Sequence, residues 1–341
     1  MSHGNRRPRG TYLFVALVVV VIIGGIIGIE ALRRLNARRS VMSTNLYPES
    51  AAERARAPFP RQLRDASGRV VTINARPQRI VSMTLSTDEI LLAICPLSRI
   101  TGFSALALDP KFSNVVAEAR ASGKPAVDNA EQILRLEPDI IFVASYTRAE
   151  TVEQLQAAGA TVFRFANFIS IEDIKQNIRT VGYATGEDEL AEGLVAQVER
   201  ELSAIRARVP LGDKRPRVMS FSADGYTAGS GTLFDDIVRY AGAINVAAEQ
   251  GLEGFPRISA EQVAAWQPDF IIAGADAEDL EETRRRLLAN PAVAATDAAR
   301  GGRIILIDNR LFLTVSQHVV GVVGAVVDGL YAATPPAGKA P

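Results

Sequence analysis

The sequence predicts an α/β protein of two similar lobes with mostly parallel sheets, joined by one long helix and preceded by an N-terminal transmembrane helix. Three observations predict it. Short apolar runs alternate with helix-forming segments in two separate regions. One phrase, AEQILRLEPDIIFVA from Ala130, returns as AEQVAAWQPDFIIAG from Ala260. Between the two regions lies a long helix-forming stretch, residues 171–209. A chain of 341 residues also exceeds what one small core accommodates.

Residues 1–11 form an N-terminal tail, and residues 12–29, YLFVALVVVVIIGGIIGI, carry no charge. At 1.5 Å per residue this run spans roughly 27 Å, close to a hydrocarbon core. No small-x-small cleavage pattern and no lipid-accepting cysteine follows, so the expectation is an uncleaved anchor rather than a removed signal. Arg6, Arg7 and Arg9 precede the run and Arg33, Arg34, Arg38 and Arg39 follow it, which leaves its orientation nearly tied. Residues 30–58 read as a linker.

The first lobe, residues 59–170, opens with a hairpin around Asp65-Ala-Ser-Gly68. Strand RIVSM (79–83) follows, then a helix capped at Ser86 or Thr87, strand RITGFSA (99–105), helix 130–137, strand DIIFVA (139–144), a helix from Thr151 and strand TVFRFA (161–166). The connecting segment, 171–209, breaks once at Thr185-Gly186, and its second part, from about Glu187 to Val209, repeats apolar residues at helical spacing. The second lobe, 210–333, restarts the alternation and closes with an apolar helix from about Ser316 to Ala332; residues 334–341 are a tail. That last helix holds Gln317, His318 and Asp328 and is too short and polar to span a bilayer.

Both copies of the repeated phrase fit a capping box, Asn129 with Gln132 and Ser259 with Gln262. Glu131 and Glu261 point off the buried face in the first turn. Each either complements the helix dipole or belongs to a paired docking surface.

Charge and composition exclude several classes. Basic and acidic side chains balance at 38 each, and no basic stripe points to nucleic acid. Cys95 is the single cysteine, in an apolar context that marks a small buried hydrophobe. There are two histidines, and His3 precedes the anchor, so a metal site with nitrogen ligands is not expected. No nucleophile elbow, Walker loop or dinucleotide fingerprint occurs, and neither an enzyme nor a bound cofactor is expected.

Taken together, PQRIVSMTLSTDEILLAI, DNAEQILRLEPDIIFV, the long helical crossing and ISAEQVAAWQPDFIIA resemble the ABC-importer substrate-binding proteins for ferric siderophores, haem and cobalamin. The resemblance runs from about Gln62 to Tyr331. It implies a shallow cleft between two lobes, delivery to a permease, and contact of Glu131 and Glu261 with that permease. The chain departs from the family pattern at Leu85-Ser86 and at Ile94-Cys95-Pro96.

In such lobes ligands lie beyond the carboxyl ends of strands. Those loops carry Thr84, Ser86, Tyr146, Arg148, Phe168, Tyr226, Ser230, Arg257, Arg310 and His318 as candidate ligand-binding residues. Arginine beside aromatic rings suits an anionic, flat or chelated ligand, an iron chelate or a tetrapyrrole. Aromatic residues make up 6% of the chain and Trp266 lies within the second AEQ helix, so a ferric siderophore is expected ahead of haem, and haem ahead of cobalamin. A chelatase-like enzyme would require a His/Glu pair in the cleft, whereas a membrane-anchored sensor or scaffold would share every feature but transport. The expected location is the inner membrane, by a single N-terminal span, with the body outside the cytoplasm. Intact-mass measurement of the membrane fraction checks the anchor: the mature chain retains residues 12–29, and a start beyond Ile29 refutes it.

Overall fold

The computed structural model describes Pro48 and residues 50–331, apart from 213, 214 and 223. The expected membrane anchor at residues 12–29 lies outside the described residues. Among the described residues no helix is long and apolar enough to cross a membrane. Everything below belongs to the compact unit that begins at Asn45.

A short helix, α1 (Ala51–Arg56), leads into an antiparallel hairpin of β1 (Arg61–Arg64) and β2 (Val70–Ile73). Its turn is closed by Asp65, whose Oδ1 accepts from Ser67 N at 2.9 Å and Arg69 N at 3.0 Å. The first lobe then alternates β3 (Ile80–Ser82), α2 (Leu85–Ile94), β4 (Ile100–Ser104), α3 (Val116–Ala121), β5 (Ala126–Val127), α4 (Ala130–Arg135), β6 (Ile140–Ala144), α5 (Ala149–Ala157) and β7 (Val162–Phe165). These strands form one parallel sheet in the order β5-β4-β3-β6-β7. β6 reads IIFVA and is buried at every position, as a strand covered on both faces must be.

Two helices connect the lobes, α6 (Ile171–Thr185) and α7 (Asp188–Arg206). The expected break is present: Gly186 takes φ 73° and ends α6 in the left-handed region. α7 has 19 residues, about 28 Å at 1.5 Å per residue. The pair cross closely at Gly182, where an added Cβ would stand 2.4 Å from the Ala191 Cβ. Three arginines of the first lobe grip their turn. Arg61, sandwiched between the rings of Phe59 and Tyr183, donates to Tyr183 O and Asp188 Oδ2, each at 2.7 Å. Arg99 donates to Thr185 O at 2.6 Å and pairs with Glu187, which Arg76 also meets at 2.7 Å.

The second lobe holds β8 (Arg217–Ser220), α8 (Leu233–Tyr240), β9 (Ile244–Asn245), α9 (Val246–Glu249), α10 (Ala260–Trp266), β10 (Phe270–Ala275), α11 (Leu280–Ala289), α12 (Pro291–Ala294), α13 (Asp297–Arg300), β11 (Ile304–Asp308), α14 (Asn309–Phe312) and α15 (Val319–Tyr331). Its sheet is parallel in the order β11-β10-β8-β9. One apolar core runs from the first sheet, through α6 and α7, to α15 and the second sheet. The opposite face of each sheet carries a smaller core of its own.

The repeated phrase builds the same joint twice. In each copy the helix ends on a non-glycine residue at positive φ, Glu137 at 43° and Gln267 at 42°. A Pro-Asp pair then starts the next strand. Asp139 Oδ2 accepts from Gln78 N at 2.6 Å and Arg79 N at 2.8 Å, and Asp269 Oδ2 accepts from Arg217 N at 2.8 Å. In return Arg79 donates to Leu136 O at 2.8 Å and Glu137 O at 2.9 Å, and Arg217 to Trp266 O at 2.8 Å and Gln267 O at 3.1 Å. The arginine at the head of each lobe's first strand thereby satisfies the orphan carbonyls at the end of that lobe's AEQ helix.

Three local expectations shift. α10 has the full capping box, but Gln132 of α4 reaches past its cap to accept from Asp128 N at 3.1 Å. α2 is capped by Thr84 rather than by Ser86 or Thr87, because the Thr84 hydroxyl accepts from Thr87 N at 3.1 Å. α15 starts at Val319, since residues 314–318 are held in a turn by contacts to the first lobe.

Candidate functional site

Those contacts form the floor between the lobes. Glu89, on α2 of the first lobe, is 1% exposed and has no basic partner among the described residues. Four neutral donors satisfy it instead. Asn114 donates to Oε1 from N at 3.0 Å and from Nδ2 at 2.9 Å. Thr314 Oγ1, at 3.3 Å, and the Ser316 hydroxyl donate to Oε2 from the second lobe. Gln317 Nε2 adds a bond to Glu89 O at 2.9 Å, and Ser86 Oγ donates to Val315 O at 2.8 Å. A buried carboxyl group is tolerated when its oxygens are hydrogen-bonded in this way.

Asp88, beside it, is fully buried and accepts from Ser104 N at 3.2 Å and from the Ser104 hydroxyl. Burial pushes its carboxyl up to about 8, against the lowering effect of bonds from Ser104 and Ser82.

The walls come from loops at the carboxyl ends of strands. After β6 and β7, the rings of Tyr146 and Phe168 meet at 6.3 Å between centroids. Tyr146 keeps 39% of its surface open, yet the protein crowding it, with Asp88 adding, raises its hydroxyl to about 12. It stays a neutral phenol, a stacking surface and a donor. Arg148 stands one turn beyond, exposed, with no described carboxylate in ion-pair range.

In the second lobe the loop after β8 is zipped to residues 251–258 by bridges Tyr226–Arg257 and Ser230–Glu253. Gly229 permits the approach, since a Cβ there would stand 2.2 Å from Leu252 O. The Gly229 and Ser230 N–H groups are spent on Gly254 O and Leu252 O, each at 2.8 Å, which fixes the loop's backbone. Arg257 is exposed and has no described ion-pair partner. A hollow of about 300 Å³ beside α10 lies wholly in this lobe and takes in, of the expected contacts, only Arg257.

The two ends of the cleft are tied differently. At one end Lys111 Nζ meets Asp276 Oδ2 at 2.8 Å, and Asn114 Nδ2 donates to Arg310 O at 2.9 Å. At the other, Ile171 N donates to Asp236 Oδ2 at 2.8 Å.

The expected ligand contacts therefore divide. Tyr146, Arg148, Phe168, Tyr226 and Arg257 keep exposed or half-exposed surface on the cleft loops. Thr84 and Ser86 are each 1% exposed with their hydroxyls committed, and they support the floor. Ser230 Oγ is taken by Leu252 O at 3.1 Å. Arg310 is held by its neighbour Asp308, Nε lying 3.0 Å from both carboxylate oxygens, which keeps that carboxyl below the usual range. His318 sits in the floor turn with Nε2 buried and unbonded. Sequence reasoning missed Glu89, Lys111, Asn114 and Asp276. No local pattern marks them, although Glu89 within the apolar run EILLAI was an available hint.

Glu131 and Glu261 are both exposed at the heads of α4 and α10. Glu131 pairs with Arg135 one turn on, whereas a bond from Ser259 holds the Glu261 carboxyl below its ordinary range. Among the described residues no group of three or more His, Cys, Asp or Glu side chains is placed to share a metal ion.

Two parallel α/β lobes on a shared core, with aromatic and cationic residues on the loops beyond their strands, have the architecture of a two-lobed solute-binding protein. The comparisons make the class specific. The periplasmic binding protein family profile matches residues 80–311, and the chain belongs to that family. It is 29% identical over 275 residues to a cobalamin-binding protein of Halobacterium salinarum, covering 77% of this chain and 73% of that one. It is 28% identical to the periplasmic heme-binding protein RhuT from Roseiflexus sp. RS-1 in apo form, with a TM-score of 0.65 over 75% of this chain and 98% of that one. An uncharacterized ABC transporter substrate-binding lipoprotein of Bacillus subtilis, YvrC, is 28% identical over 66% of this chain and 72% of its own length.

Asp88 generates a pH prediction. Its folded-state pKa is raised, so its contribution to stability is greatest when it is protonated in both states. That contribution falls as pH rises from about 4, where the unfolded chain ionises, to about 8. Asp88→Asn, which imitates the neutral acid, is expected to flatten the decline in melting temperature between pH 5 and pH 8.5. Parallel slopes for variant and wild type would refute the assignment.

Proposed function

We propose that this protein is the substrate-binding component of an ABC importer, tethered by residues 12–29 with its body outside the cytoplasm. It takes an iron chelate or tetrapyrrole between its lobes and passes it to a permease. The observation that carries this reading is the pair of uncommitted arginines, Arg148 on one lobe and Arg257 on the other, beside Tyr146, Phe168 and Tyr226. Guanidinium groups on loops that also carry aromatic rings recognise carboxylate, phosphate or catecholate groups on a flat or rounded ligand. The ligand's own chelator holds its metal, and the protein reads shape and charge. This chemistry favours a ferric siderophore. The likeness to a cobalamin-binding and a heme-binding protein favours a tetrapyrrole as the second reading. Family membership and the absence of a catalytic motif support binding rather than catalysis.

Titration of the full chain with ferric chelates, haem and cobalamin, followed by thermal stability, tests the ligand. A member held a hundredfold above its dissociation constant adds roughly 2.7 kcal/mol to stability. No shift with any of them, alongside tight binding of a free metal ion or a non-chelated solute, overturns the reading.

Docking rests on Glu131 and Glu261, one exposed carboxylate at the same place on each lobe. Reversing both charges is expected to impair uptake while ligand affinity stays nearly unchanged, because rim charges steer association more than they hold ligand. Wild-type uptake by the folded double variant leaves them only a helix-capping role.

A further inference from the structure

The two ends of the cleft differ in charge, and the difference deepens the reading just proposed, on which it rests. β4 flanks β3 on one side, with β6 and β7 on the other. Lys111 follows β4 and Arg148 follows β6. In the second lobe Asp276 follows β10 and Arg310 follows β11, both to one side of β8, whose own loop carries Tyr226 and its bridge to Arg257. The Lys111–Asp276 pair joins the β4 side of one lobe to the β10 side of the other. The Ile171–Asp236 bond joins the β7 side to the helix that follows β8. Arg148 and the Tyr226–Arg257 bridge therefore lie on the side of their sheets away from Lys111.

At the Lys111 end the two cations that follow β4 and β11, Lys111 and Arg310, each already have an acid. Asp276 holds Lys111 at 2.8 Å, and Asp308 holds Arg310. Asp276 is itself aimed: Asn309 Nδ2 donates to its Oδ1 at 2.7 Å. Asn309 in turn occupies the space left by Gly274, where a Cβ would stand 2.3 Å from its Oδ1. Burial raises the Asp276 carboxyl, but the bonds from Lys111 and Asn309 outweigh it and leave the group below its ordinary range. The bond and charge of Asp276 raise the Lys111 ammonium. This acid is thus ionised, fixed and in place before any ligand arrives.

We propose that Asp276 is a specificity-determining residue. By masking Lys111 it confines the free cationic charge of the cleft to the Arg148–Arg257 half, so the cleft selects chelates or tetrapyrroles whose acidic groups lie along one edge. A ligand with charge spread evenly around it must place an anion against Asp276 or displace it from Lys111. Either step weakens binding, and placing like charges together is a recognised route to selectivity.

The test uses the full chain and two probes in calorimetric titrations at fixed ionic strength. Haemin carries two carboxylates on one edge, and a ferric tris-catecholate spreads its negative charge evenly about the metal. Wild type is expected to favour haemin over this evenly charged chelate, while a ferric siderophore whose acidic groups lie along one edge stays within the proposed reading. Asp276→Asn keeps an oxygen for Asn309 but unmasks Lys111, and should raise tris-catecholate affinity by roughly threefold to tenfold with haemin nearly unchanged. Adding Lys111→Met should erase that gain, because the gain comes from the unmasked ammonium. Equal changes for both probes, a wild-type preference for the tris-catecholate, or a gain that survives in the double variant each overturns the proposal while the binding reading stands. If neither probe binds wild type and no other chelate or tetrapyrrole shifts its stability, the binding reading itself falls.

Discussion

The shared apolar core is the constraint on which the rest depends. Two parallel sheets could each have closed on its own layers of helices, but here α6, α7 and α15 bury one face of both in a single core. Gly182 lets α6 and α7 approach without an intervening side chain, and Arg61, Arg76 and Arg99 fix the turn between them. Swinging the lobes apart would open that core and break buried polar contacts, both costly in a close-packed interior. The shared core therefore favours a narrow slot between the lobes over a wide hinge.

Glu89 pins the slot from within. A buried acid with no described cation in ion-pair range is an unusual way to join two lobes, and four neutral donors converge on it from both sides. Removing it would leave buried hydroxyl and amide donors without acceptors, a loss of about 1–3 kcal/mol for each unsatisfied group. Directional bonds of this kind also set the relative placement of the loops above them. Ser86, Thr84 and the turn at 314–318 belong to this floor, with their hydroxyls already committed.

Symmetry and asymmetry divide the labour. The Arg-Asp joint built from Arg79 and Asp139, and again from Arg217 and Asp269, gives both lobes the same frame and presents Glu131 and Glu261 at matching helix heads. The cleft loops break that symmetry. The first lobe contributes an aromatic pair, the second a zipped double loop, and the cations at one end are matched by acids.

The sequence by itself determined the two-lobed parallel frame, the helical connection, the repeated joint and the order of nearly all elements. These rest on period, caps and breakers within a few residues of each other, which a linear reading carries. It also placed Tyr146, Arg148, Phe168 and Tyr226 on strand-end loops, because in α/β lobes those positions follow from the frame, whereas Arg257 lies between α9 and α10 and is bridged to Tyr226. Only the tertiary structure decided which side chains were still free to act. Glu89 meets Ser316 across 227 positions and Lys111 meets Asp276 across 165, so neither partnership leaves a local trace. Arg310 shows the same limit at short range: residue types do not specify whether its guanidinium reaches out or closes on Asp308, as it does here. Residue type and spacing specify where a charge is carried, and the surrounding fold specifies whether that charge is already spent.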